Sequence, residues 1–340
     1  YYFPGEKIYR IGVLGGREFG KTCMFAALSM PRKPRSDQVS CVRISHLPSP
    51  DPKPWKASGE DVAAEDAFIA GKKLLDYGEE IDGQHVPGAI DSILQGSVPS
   101  PTRMGSGDCR FIYELSSKDR SPGLIESVDY AGEFTSPDMA TDAQAQTVTD
   151  ILQESDGLII LAQFPAPGSD TQNEVEAIHK ITETFSRLKK CRSIPIVIVV
   201  NKFDRMEGYD HALAEGRRRK QALREFVDSD DGGHLKALEN TVINAVGAEN
   251  VTMLPVSALG KCEIVGGYER PRQALPLESS GLEDPFIWLM DRIDARAVDE
   301  YRREVADMSI LPWRILWIRK GRLLRRRRHE LVGFEVRNKR

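Results

Sequence analysis

Four short stretches carry side chains whose types and spacing could do chemistry. The first is Gly15-Gly16-Arg17-Glu18-Phe19-Gly20-Lys21-Thr22. Gly15 and Gly20 let the backbone curl so that successive N–H groups point inward at a phosphate, ahead of a helix N-terminus. Lys21 adds a point charge for the β- and γ-phosphates, and the Thr22 hydroxyl is a ligand for Mg²⁺. With 28 Gly in 340 residues, such a word arises by chance on the order of a few per cent of the time. Its weight therefore comes from its company.

The second stretch is Asp129-Tyr130-Ala131-Gly132. The Asp129 carboxylate suits Mg²⁺, which wants oxygen ligands and keeps several waters. Gly132 lets its N–H approach a γ-phosphate closely. The third, Asn201-Lys202-Phe203-Asp204, offers a carboxylate for guanine. Asp204 accepts from N1–H and the 2-amino group, a pair adenine does not present, so adenine leaves the carboxylate unpaired. The Lys202 stem lies across the base plane in this reading, and Asn201 ties the loop to the phosphate loop. A plain polar cap after a strand is the competing reading. The fourth, Ser257-Ala258-Leu259, presents the Ala258 N–H to guanine O6. Cys23 is grouped with the nucleotide-contacting residues.

These words need elements to hold them. Apolar patterning predicts a strand at 7–14 before the phosphate loop and a helix at 21–30 after it. Residues 31–59, rich in Pro and Ser, read as an exposed loop, followed by amphipathic helices at 60–77 and near 89–95. Strands at 109–115 and 124–128 are expected to pair about a turn at 119–123, where Pro122-Gly123 is the signal. Helices at 138–154 and 172–190 then alternate with strands at 157–163 and 194–200, the latter apolar enough to be covered on both faces. Helices at 209–227 and 235–246, a strand at 251–256 and a helix at 286–308 complete the order. Such alternation predicts an α/β fold with a mostly parallel central sheet and helices on both faces.

Together the four words resemble those of P-loop GTPases of the Ras-like and translation-factor-like class, over roughly residues 7–265. The resemblance implies a Ras-like fold, GTP/GDP and Mg²⁺ as cofactors, and two switch segments sensing the γ-phosphate. The first switch needs a threonine for Mg²⁺. Thr102 is assigned, because Pro101-Thr102 lies shortly before the strand that pairs with the Asp129 strand. The metal set is then Thr22, Thr102 and Asp129, and the catalytic set Lys21, Thr102, Gly132, Glu133 and Arg17.

Three departures stand out. Glu133 replaces the Gln that many small GTPases place after D-x-x-G; it would orient water or act as base but repel the γ-phosphate, so hydrolysis is expected to be slow. Arg17 and Glu18 replace glycines in the phosphate loop. Arg17 either supplies charge to the transition state or points outward. A helical insertion, about 31–97, precedes the first switch, as a lid or partner surface. The insert together with P-x-P-T and D-Y-A-G-E also resembles bacterial double-GTPase proteins of conflict systems.

The division expected is a GTPase domain at 1–265, its C-terminal helical part at 266–310, and a basic extension at 311–340. That extension carries 11 Lys/Arg against 2 Asp/Glu, a charge of +9, which leaves −13 on the rest of a chain whose net charge is −4. So acidic a body is a poor general nucleic-acid binder. Trp313 and Trp317 among the arginines suit an anionic membrane surface, nucleic acid, an acidic protein, or packing on the domain itself. The five cysteines form no C-x-x-C pair, which argues against zinc and disulfides and fits a reducing compartment. No signal peptide or membrane-spanning run is visible, so a cytoplasmic place is expected. The function expected is a Mg²⁺-dependent GTP hydrolase switching a protein effector or activator. The alternatives are a nucleotide-binding scaffold with negligible turnover, or an RNA- or translation-associated GTPase using the tail.

Overall fold

The computed structural model describes residues 8–16, 19–30, 40–43, 56–57, 60–61, 69–81, 84–99, 109–117, 120–129, 141–165, 172–187, 194–209, 216–265, 268–272 and 276–308. Seven strands form one sheet: β1 (Ile8–Gly15), β2 (Ser40–Arg43), β3 (Cys109–Ser117), β4 (Arg120–Asp129), β5 (Gly157–Gln163), β6 (Ile196–Asn201) and β7 (Val251–Pro255). Their spatial order is β7-β6-β5-β1-β4-β3-β2. β1 pairs parallel with β4 and β5, and β6 pairs parallel with β5 and β7. β3 runs antiparallel to both β4 and β2. The expected α/β class, with a mostly parallel sheet, is the one observed.

Seven α-helices accompany the sheet among the described residues: α1 (Lys21–Ser29), α2 (Ala89–Leu94), α3 (Thr141–Glu154), α4 (Gln172–Arg187), α5 (Gly216–Val227), α6 (Gly233–Val246) and α7 (Asp284–Met308). Both faces are covered, as a parallel sheet requires. Residues 9 and 12 of β1 point to opposite sides. Tyr9 donates its hydroxyl proton to Asp294 of α7 at 3.0 Å. On the other side, a Cβ at Gly12 would meet Ile151 of α3 at 3.2 Å and Leu158 at 3.1 Å. On the Tyr9 side Phe25 of α1 stacks on Phe111 of β3 with centroids 4.3 Å apart. β5 and β6 are buried along their whole length, which is why their sequences read as unbroken apolar runs.

Several expectations need correcting. Within the presumed loop 31–59, Ser40–Arg43 adds an edge strand to β3, and Lys56–Ala57 pairs with Glu60–Asp61. The helix expected at 60–77 is described only from residue 69. It widens into a π-helical turn at Lys73–Tyr77, closed by Gly78 N–H on Lys73 O at 2.8 Å. Pro122-Gly123 is not a turn. Ser117 faces Arg120 and Leu115 faces Gly123, so Gly123 sits inside β4. There a Cβ would lie 2.6 Å from Met290 of α7, so the glycine admits a close helix–sheet approach. Within the stretch 266–310, expected to be helical, Tyr268–Pro271 pairs antiparallel with Cys262–Val265.

From β1 the chain builds β2, β3 and β4 on one side, then β5, β6 and β7 on the other. The turn after β1 therefore sits where the strand order reverses, the place at which open α/β sheets bind ligands beyond their strand C-termini.

Candidate functional site

The described residues of all four chemical stretches lie at that C-terminal edge. Gly15 ends β1 and Gly16 follows it; Asp129 ends β4; Asn201 ends β6; Ser257 comes two residues after β7. The turn after β1 is built on close approaches. A Cβ on Gly15 would lie 2.7 Å from Leu161 Cβ of β5, and one on Gly16 would lie 2.9 Å from the Phe19 ring. Phe19 is itself buried and anchors the loop from below. Gly20 has φ 82° and ψ 27°, the left-handed conformation that glycine adopts without penalty, and it opens α1. Lys21 is buried, and its Nζ donates to Gly15 O at 3.3 Å. The ammonium thus folds back over its own loop and stays beside the backbone amides that would face a phosphate.

Asn201 joins this loop to the next. Its Nδ2 donates to Phe19 O at 3.0 Å, while its Oδ1 is buried with no hydrogen-bond partner. A buried unsatisfied acceptor of this kind calls for an explanation, and a ligand is one. Lys202 follows with φ 57°, the sole non-glycine at positive φ among the described residues. Such strain clusters where a loop must present side chains in a fixed direction. Phe203 and Asp204 then form a short 3₁₀ turn ending at Arg205. Phe203 is buried; its N–H reaches Val256 O at 3.1 Å, and Arg205 Nη1 donates to Phe164 O at 3.2 Å.

Asp204 meets the fourth stretch directly. Ser257 Oγ donates to Asp204 Oδ1 at 2.5 Å, a short charge-assisted bond. Ser257 and Ala258 are buried. Gly20, Cys23, Asn201, Lys202, Asp204, Ala258 and Leu259 line one open cleft. Val98, Arg205, Gly260 and Cys262 complete its wall. Nothing in the sequence had singled out these four. Val98 follows directly on the insertion and Cys262 belongs to the unforeseen strand pair, so neither carried a local signal.

The phosphate-side residues divide. Thr22 lies in the first turn of α1, 9% exposed. The Asp129 backbone is in register with Val13 of β1, one strand from the glycine loop. A hydroxyl and a carboxylate are the hard oxygen donors Mg²⁺ prefers. Among the described residues no cluster of three or more His, Cys, Asp or Glu side chains could hold a metal on its own. Arg17, Thr102, Gly132 and Glu133 lie outside the described residues, as does the extension at 311–340.

No protein-family model matches the chain, and no curated protein matches it by sequence. Among solved structures it is similar to the S. cerevisiae Ski7 GTPase-like domain, bound to GTP. That likeness has 13% identity and a TM-score of 0.34, covering 85% of this chain and 50% of that one. This chain thus spans about half the length of its structural relative.

Proposed function

We propose that this chain binds GTP and GDP with Mg²⁺, hydrolyses GTP slowly, and acts as a nucleotide-controlled switch for a protein partner. One juxtaposition supports the reading: Gly20, Asn201, Lys202, Asp204, Ala258 and Leu259, from three separate stretches of sequence, line a single cleft.

In this reading the base lies against Asp204, whose orientation is held by Ser257. The Lys202 stem covers the base, and the Ala258 N–H meets O6. The turn from Gly15 to Thr22 holds the phosphates, with Lys21 supplying charge from within the loop. Thr22 and Asp129, joined by Thr102, would hold Mg²⁺, which when bound neutralises charge on the β- and γ-phosphate oxygens. Glu133 orients the attacking water, at the cost of repelling the γ-phosphate; Arg17 is the candidate to offset that charge. Ordering of the segments around Thr102 and Gly132 is the signal a partner would read. No helix among the described residues is long and apolar enough to cross a membrane. A peripheral role for the basic extension belongs to this proposal, with an anionic lipid surface, nucleic acid or an acidic protein as the surfaces it suits.

Single-turnover phosphate release from GTP tests the enzymatic half, in excess Mg²⁺ and after chelation, for the wild type and Glu133→Ala. Slow release that needs Mg²⁺ and falls in the variant is expected. Tight GTP binding with no release over hours would instead support a scaffold in which the nucleotide is structural.

A further inference from the structure

Behind the base-side loops lies a part-buried connection that reaches beyond the four stretches. Ser257, the donor to Asp204, exchanges two backbone hydrogen bonds with Ser280: Ser257 N–H to Ser280 O at 3.0 Å, and Ser280 N–H to Ser257 O at 2.9 Å. Ser280 Oγ lies 2.8 Å from Tyr209 Oη. Tyr209 belongs to the Asp204 loop, since its N–H bonds to Met206 O at 3.0 Å and its ring meets Phe203 edge-on at 6.3 Å. The path closes on itself: Asp204, Ser257, Ser280, Tyr209, and back through Phe203 to Asp204.

The strap that supplies Ser280 is itself pinned. Gly260, at φ 76°, has room only for a hydrogen, because a Cβ would lie 2.9 Å from the Glu278 backbone. Gly281, at φ 69°, would place a Cβ 2.7 Å from Arg219 Nη2 and from Pro255 O. Arg219 is fully buried and donates to Asp284 Oδ2 at 2.6 Å, at the first residue of α7. The base-side loop is therefore built into the start of the C-terminal helix.

We propose that Tyr209 and Ser280 are positioning residues for base recognition, closing a ring of hydrogen bonds and one aromatic contact that fixes the direction of the Asp204 carboxylate. This rests on the guanine reading above. Neither residue touches the base, as neither lines the cleft. Their effect is on how well both carboxylate oxygens meet N1–H and the 2-amino group. With the Tyr209–Ser280 bond removed, the strap that pairs with the Ser257 backbone is held less firmly to the Asp204 loop, and the Ser257–Asp204 bond loses direction. Hydrogen bonds weaken steeply as their angle departs from linear, so a misdirected carboxylate weakens its bond to the 2-amino group.

The test compares GTP with ITP, which lacks the 2-amino group, and with ATP, which engages only the phosphate loop. In Tyr209→Phe the GTP dissociation rate is expected to rise roughly three- to tenfold, the worth of one ordinary hydrogen bond. The GTP-over-ITP preference should narrow by a similar factor, with ATP binding unchanged. Ser280→Ala should reproduce the loss, and the double variant should lose no more than either single one. An unchanged GTP-to-ITP ratio in both variants overturns the proposal. So does an equal loss for all three nucleotides, which marks a merely structural role. A wild type that holds GTP no better than ATP overturns the guanine reading first and this proposal with it.

Discussion

Replacing Gly20 with alanine tests the phosphate loop and its link to Asn201 in one step. Two costs follow from the geometry. At φ 82° a residue with a Cβ is strained by about 1–2 kcal/mol. The new methyl would also stand 2.5 Å from Asn201 Nδ2, far inside contact distance. The amide must then leave Phe19 O, its 3.0 Å acceptor. Losing a buried hydrogen bond costs about 1–3 kcal/mol. The sum is about 2–5 kcal/mol of folding stability, read as a lower urea midpoint at unchanged slope. GTP affinity should fall as well, because both base-side and phosphate-side loops lose their tie. Asn201→Ala supplies the control. If the methyl acts through Asn201, the double variant is less destabilised than the two singles combined. A loss below about 0.5 kcal/mol in Gly20→Ala, or full additivity with Asn201→Ala, would refute the reasoning.

Two further predictions concern the frame around the site. Asp284→Asn removes the charged acceptor that sits 2.6 Å from the fully buried Arg219. It should cost about 2–3 kcal/mol in urea unfolding, near the low end for breaking a buried pair because Asp284 is partly exposed. A change under about 0.5 kcal/mol would show the pair to be dispensable. His234, at the start of α6, is held below its ordinary 6.5, first by burial and then by the His179 charge. Its folded form binds fewer protons than the unfolded chain. The associated stability is therefore present above about pH 6.5 and lost as pH falls through the lowered folded value. Urea stability measured from pH 7.5 down to 5.5 should fall less in His234→Gln than in the wild type; identical curves would contradict this.

Much of the sheet was legible because burial on both faces leaves a plain signature. Gly157–Gln163 is apolar enough to have bounds that read directly from sequence. The order of the four stretches likewise put every one of them at a strand C-terminus. Other features needed partners distant in sequence. Pro122-Gly123 carries a turn signal, yet Gly123 answers to Met290, a contact no local pattern reveals. Ser40–Arg43 is four residues long and borrows its pairing from β3. The π-helical turn at Lys73–Tyr77 follows no apolar period. Tyr209 and Ser280 are 71 residues apart, and neither is of a type that advertises a role. Spacing can find residues that face a ligand along one strand-end, whereas residues that hold those in place are found only in three dimensions.

Nucleotide competition against Asp204→Asn tests the central claim most directly. The wild type is expected to prefer GTP over ATP by on the order of a hundredfold or more, since ATP leaves the carboxylate unpaired. Asp204→Asn should lose GTP by on the order of a hundredfold. It should take up XTP, whose 2-carbonyl accepts from an amide where guanine offers a donor. Equal competition by ATP in the wild type, or undiminished GTP binding in Asp204→Asn, would contradict it.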